Sequence, residues 1–184
     1  MEQQLFQSLE KEFVQLRYRW TIFLQLFDSG EENIDLLNNS GSNVFQLLQK
    51  LLIDDTMLTL CRLSDPEKSA GKENASIYNY IKKASISLEK QTQVDALLAE
   101  LEKHMKTIRD TRKWAIAHSD LAIKLEKEVS PRVTYDHIES SIDVFHQIFN
   151  LLSGSSSDYV PHIPYGCDGN KLLAVLAQGH SKNQ

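Results

Sequence analysis

The residues that could do chemistry in this chain are concentrated in one stretch, RDTRKWAIAHSD, residues 109 to 120. His118 is the natural proton-transfer group, because an unperturbed imidazole titrates at about pH 6.5. Asp120, two residues on, can accept from an imidazole nitrogen and set its tautomer. Arg112 carries a planar fork that matches carboxylates and phosphates and a charge that cannot be lost. Ala115 and Ala117 are small, so the backbone beside His118 can be approached closely.

The element that must position these groups is a long amphipathic run. At about 100° per residue, Val94, Leu98, Leu101, Met105 and Ile108 fall within roughly 40° of one line, and Arg112 falls on it too. A guanidinium facing a core is costly unless it is paired or opens into a wet cleft. The alternative is that the bundle ends there and Arg112 snorkels out. A second helix shows the same interruption, since its line Val44, Leu48, Leu51 and Leu58 also holds Asp55 and Arg62. Asp55 is expected to pair with Arg112 or Arg62. Such a network either fixes helix register or supports Arg112, and removing Asp55 from it would cost about 3–5 kcal/mol. His118 lies about 120° round a regular helix from Arg112, and Trp114 about 160° from the stripe. Trp114 suits a subunit interface, where aromatics are common, or stacking on a base.

Around that run the chain reads as helix almost throughout. Leu5, Leu9, Phe13, Leu16, Trp20, Phe23 and Phe27 recur at helical spacing, ending near Gly30. EENIDLL gives a further turn or two before the loop NNSGS, after which Ser42 or Asn43 caps the second helix. SDPEKSAGKEN is a polar loop, and IYNYIKKA a short third helix. Ser87 precedes the long run from Leu88 to about His118. EKEVSPRV is a break, and Thr134 caps a last bundle helix with Ile138, Ile142, Phe145, Phe149 and Leu152. The stretch SGSSSDYVPHIPYG reads as an extended tail, with Ser153–Ser157 a linker, and Asp168 caps the amphipathic piece NKLLAVLAQG. The expected fold is all-α, an antiparallel bundle of four to five main helices over residues 1–152. Residues 153–184 form a tail whose short C-terminal helix packs on it.

Composition narrows the function. Of 184 residues, 41% are hydrophobic and 24% charged, which suits a soluble globular protein rather than a disordered one. A net charge of −5 argues against holding long nucleic acid by bulk electrostatics, though not against a small basic site. The two cysteines, Cys61 and Cys167, form no Cys-x-x-Cys pair, so neither a disulfide framework nor a zinc knuckle is indicated and a reduced cytoplasmic setting is expected. No His-x-x-x-His spacing, phosphate loop or Gly-x-Gly-x-x-Gly pattern occurs, so no metal and no cofactor are expected. Neither a signal peptide nor a membrane span is read.

An arginine followed after five residues by a histidine, late in a long helix of an all-α domain, resembles the signature of the HEPN superfamily. The fuller pattern RxxRKxxxAHSD, with CRLSD at 61 to 65 and DGNKLLAVL at 168 to 176, is similar to its abortive-infection U-type (AbiU-like) branch. The resemblance implies metal-independent cleavage of RNA in a defence or toxin–antitoxin setting, by attack of a ribose 2′-hydroxyl on its own phosphate. His118 would move protons and Arg112 would stabilise the phosphorane charge. Arg109, one turn back, would bind an adjacent phosphate or stay solvated. Asp120, Asp55 and Arg62 would support them. Because Arg112 and His118 diverge by about 120° on a regular helix, a homodimer with two copies of that helix facing across a two-fold axis is expected to share the site, and an antitoxin or defence partner would restrain it. Two departures stand out. Lys113 follows the arginine where Asn, Asp or His is frequent, and Asp120 stands where some toxins of the superfamily carry a modified tyrosine. The other reading is a non-catalytic helical interaction or RNA-binding module with the same fold.

Overall fold

The computed structural model describes residues 2–113, 132–153 and 168–181. Trp114, His118, Asp120, most of the expected break at EKEVSPRV and the expected extended tail from 154 to 167 lie outside those residues. Among the described residues the order is α1 (Glu2–Phe27), α2 (Glu31–Leu63), β1 (Lys68–Ser69), β2 (Lys72–Glu73), α3 (Ile77–Lys83), α4 (Leu88–Thr111), α5 (Tyr135–Ser153) and α6 (Gly169–Ser181). The fold is an all-α bundle with one minimal antiparallel hairpin. No described helix is long and apolar enough to cross a membrane.

The local reasons are those of helix termini. Ser76 accepts from the Asn79 amide at 3.3 Å, and Ser87 from the Lys90 amide at 3.4 Å, which starts α3 and α4. The Thr134 amide donates to His137 Nδ1 at 3.2 Å and the Thr134 hydroxyl lies 2.6 Å from the same nitrogen, so the His137 side chain caps the start of α5. Asp168 Oδ1 accepts from the Lys171 amide at 2.8 Å and opens α6. Gly30, at φ 110°, supplies the left-handed residue that ends the first helix and lets α2 begin one residue later.

Two loop expectations change. NNSGS is not a loop: the chain stays helical to Ser40 and leaves helical geometry only at Gly41. Leu37 is 2% exposed in a cluster with Leu26 and Leu173. Ser40 Oγ donates to the Leu36 carbonyl at 2.7 Å and lies 2.9 Å from His180 Nε2. These contacts outweigh the loop preference of Asn38 and Asn39. Within the polar loop, Lys68 pairs with Glu73 and Ser69 with Lys72 across a two-residue turn. Ala70 (φ 49°) and Gly71 (φ 77°) both take the left-handed conformation that a tight hairpin requires.

The described chain divides into two compact units. One holds residues 2–14, 57–113 and 132–153. In it α4 packs along α5, burying Val94, Leu101, Met105 and Ile108 on one side and Ile138, Ile142, Phe145 and Phe149 on the other. Phe13 of α1 stacks on Phe149 with centroids 4.8 Å apart. The other holds residues 15–56 and 168–181, where Trp20 stacks on Phe23 at 4.6 Å and Leu173 of α6 closes over Leu26 and Leu37.

The stripe read for α2 does not face a core. Val44 is 68% exposed and Leu51 54%, while Met57, Leu60 and Ser64 are buried. On regular helical arithmetic those buried residues lie more than about 130° from the Val44 line. Asp55 and Arg62 therefore sit toward the outer side, and their partners come from α1. Arg19 Nε is 2.7 Å from Asp55 Oδ2, and Arg62 Nε is 2.9 Å from Glu12 Oε1. The expected pairing of Asp55 with Arg112 or Arg62 is replaced by these two separate pairs. The touching atoms of Arg19 and Asp55 are dry, yet the side chains are 29% and 45% exposed, so a stranded Arg19 could turn to water. Asp55→Ala should thus lower stability by about 1–2 kcal/mol in denaturant unfolding, between a surface pair and a buried one. A loss of the size expected from sequence would restore the buried network.

Candidate functional site

The end of α2, the start of α3 and the last turns of α4 converge in the first unit. Ser64 closes α2, its amide donating to the Leu60 carbonyl at 3.1 Å and its hydroxyl to the same oxygen at 2.9 Å. The Ser64 carbonyl, left over as helix ends leave carbonyls, accepts from Arg109 Nη2 at 3.1 Å. A cation there also answers the negative end of the helix dipole.

Arg109 is held from its other side by Glu102, seven residues and two turns back on α4. Its Nη1 and Nη2 donate to the two carboxylate oxygens at 2.5 and 2.9 Å. Tyr78 of α3 donates its phenol to Glu102 Oε1 at 2.5 Å. One carboxylate therefore ties α4 to α3 directly and, through Arg109, to the end of α2. The protonation states follow. Arg109 bonding holds Glu102 below the usual carboxylate range, against the opposing effect of burial. Burial first, and the bond to Glu102 second, push Tyr78 well above the ordinary tyrosine range. Glu102 in turn raises Arg109. The arginine is neither a solvated side chain nor an open fork.

Arg112, three residues on, stands in a different situation. Thr111 before it is buried, so the stripe does reach this point. Arg112 and Lys113 take the wider π geometry, the last of this segment among the described residues. Its nearest acid is Asp65, with Nη1 to Oδ1 at 3.7 Å, and the two side chains are 37% and 32% exposed. It also bonds the Cys61 thiol, whose pKa burial raises while Arg112 and Arg109 pull it down to a smaller extent. Cys61, Ser64 and Asp65 of the CRLSD segment thus meet Arg109 and Arg112 of the RDTRK segment. Asp55 and Arg62 are engaged with α1 instead, and His118 and Asp120 lie outside the described residues.

An open cleft of about 590 Å³ adjoins this cluster, lined by Ser64, Pro66, Glu67, Tyr78, Glu102 and Arg109. Pro66 and Glu67, which lead into the hairpin, form one wall, and Lys82–Glu67 and Lys83–Glu73 ion pairs pin this segment and the hairpin to α3. Asn74 adds bonds to the Glu67 and Pro66 carbonyls. Sequence reading missed Tyr78, Glu102 and Asp65. Only the CRLSD resemblance carried a signal, and it did not say which residue meets which arginine.

Glu102 makes a pH-dependent contribution. Its folded pKa is depressed, so its stabilisation is present above the ordinary glutamate range and is lost as pH falls through the folded value. Glu102→Gln should cost about 1 kcal/mol at neutral pH, given how far solvent screens it. The difference from wild type should close below about pH 4. The same change should lower the Tyr78 pKa in an ultraviolet titration, and an unmoved phenol would remove the proposed bond.

With this geometry in place the family comparison has a structural counterpart. The AbiU2 family (HEPN_AbiU2) matches residues 3–167, which takes in α1 to α5 and both basic and CRLSD segments. No curated protein and no solved structure matches the chain significantly. The match spans most of the chain and contains the whole arginine cluster: this protein belongs to the AbiU2 family of HEPN proteins.

Proposed function

We propose that the protein is a metal-independent endoribonuclease of a defence or toxin–antitoxin system, acting as a homodimer. Family membership supports an RNase-like, defence-related module. The observation that carries the finer reading is the contrast between two arginines three residues apart. Arg109 has both ends of its fork occupied by oxygen acceptors, whereas Arg112 has a 3.7 Å approach to Asp65 and a weak bond to the Cys61 thiol, and stays over one-third exposed. Arg112 is the arginine free to exchange that acid for a phosphate, as a charge-assisted bidentate contact would favour.

In the reaction the ribose 2′-oxygen attacks the adjacent phosphorus and the bond to the 5′-oxygen breaks. The 2′-hydroxyl proton leaves and a proton is delivered to the departing 5′-oxygen, giving a 2′,3′-cyclic phosphate and a 5′-hydroxyl. His118 moves these protons, Asp120 sets its tautomer, and Arg112 stabilises the phosphorane charge. Two copies of the segment across a two-fold axis bring an Arg112 and a His118 from each chain to one cleft. A non-catalytic module remains the second reading. It is favoured by Asp65, which already neutralises Arg112, and by Lys113 after it.

Purified protein should cut single-stranded RNA equally well in excess chelator and leave cyclic phosphate ends; activity restored only by magnesium or manganese would rule this chemistry out. Arg112→Ala and His118→Ala should each lower cleavage about 100-fold or more. Co-expressed, the two variants should regain part of the activity through mixed dimers. A monomer cutting at full rate at the lowest measurable concentration would contradict the shared site.

A further inference from the structure

We infer that the cleft between residues 64–67, α3 and α4 is the subsite for a nucleobase of the RNA, with a preference for guanine. This inference rests on the phosphate role proposed for Arg112. Arg109 on the cleft wall is only three residues, about 4.5 Å of helix rise, from Arg112, so a nucleotide whose phosphate met Arg112 would have its base beside the cleft. The volume, about 590 Å³, is within the range of pockets that hold small ligands.

Charge decides which part of a nucleotide enters. Each acid of the cleft has its own cation, Glu102 with Arg109 and Glu67 with Lys82. The cleft therefore offers no net positive charge to a phosphate and suits a neutral base. Tyr78 forms one wall, and the bond from its hydroxyl to Glu102 fixes the ring in place before any ligand arrives. Bases of single-stranded RNA are commonly held on such aromatic faces, with stacking tolerant of sequence.

Selection among bases falls to Glu67. Lys82 engages its Oε2, and Oε1 has no hydrogen-bond partner among the described residues. A carboxylate oxygen accepts only. Guanine presents two adjacent donors, N1–H and the 2-amino group, to such an acceptor. Adenine and cytosine present one amino group. Uracil flanks its single N3–H with two carbonyl oxygens that a carboxylate repels. The expected order is guanine, then adenine and cytosine, then uracil.

Calorimetric titration of the full-length protein with guanosine 3′-monophosphate and uridine 3′-monophosphate tests this without requiring turnover. Guanosine 3′-monophosphate should bind about tenfold tighter or better. Glu67→Gln, an isosteric change at a half-buried position, should bring the two affinities together while leaving thermal melting unchanged. Tyr78→Phe keeps the ring and should retain the preference, whereas Tyr78→Leu should weaken both nucleotides. Arg112→Ala should weaken both by the same factor. If it leaves both unchanged while Glu67→Gln still removes the preference, the base subsite stands and the phosphate role of Arg112 falls. Equal affinities in the wild type, or no binding of either nucleotide up to its solubility, overturn the subsite.

Discussion

The carboxylate of Glu102 is the point on which the joining of α2, α3 and α4 depends. It takes both arms of Arg109 and the phenol of Tyr78, and Arg109 passes the connection on to the last carbonyl of α2. None of these bonds is large alone, since each partner keeps some contact with water and a screened ion pair contributes about 1 kcal/mol or less. Their geometric effect is greater. They fix the end of α2 against α4, and with it Asp65, the residue that faces Arg112.

The result is a division of labour between like residues. A cation at a helix C-terminus and a cation for a phosphate are both well served by arginine; RDTR supplies the first as Arg109, and on the function proposed above the second as Arg112, at a spacing of three. Three residues rather than four turn the second arginine off the Glu102–Arg109 line, onto the stripe continued from Met105 and Ile108. Arg112 then ends a buried face at the point where the chain departs from regular helix, half in solvent and only loosely approached by an acid. The apparent contradiction of an arginine in an apolar stripe is resolved by its exposure to solvent and its approach to Asp65.

How much of this could be read from residue order varied by helix, for physical reasons. In α4 beyond Leu88 the apolar residues gather on one side, and in α1 Leu9, Phe13, Leu16 and Phe23 share one line although Val14 and Ile22 lie off it, so these residues, like Val94, Leu101 and Met105, declare their buried face. In α2 the run VFQLLQKLLI carries apolar residues all round, and periodicity has nothing with which to choose a face. Its buried side is marked instead by Thr56, Thr59 and Ser64. Hydroxyls there look polar in sequence, but Ser64 returns its hydrogen to the Leu60 carbonyl and so can be buried at little cost. Periodicity therefore places Asp55 and Arg62 on an inner face, whereas their partners Arg19 and Glu12 lie on α1. The Tyr78–Glu102–Arg109 link joins separate helices, and nothing in α4 distinguishes Glu102 from Glu100 beforehand. The arginine and histidine of the motif stand out by residue type and spacing alone, and of the two only Arg112 falls among the described residues.

The central claim is that Arg109 serves the fold and Arg112 serves the RNA. Thermal melting and RNA cleavage measured side by side on Arg109→Ala and Arg112→Ala test it most directly. The account predicts that Arg112→Ala melts within about 2 °C of wild type and loses cleavage, while Arg109→Ala melts roughly 4 °C lower or more, since about 2–4 °C accompanies each 1 kcal/mol in a chain of this size. An Arg112→Ala protein that cleaves RNA like wild type, or an Arg109→Ala protein that keeps its full melting temperature, would contradict it.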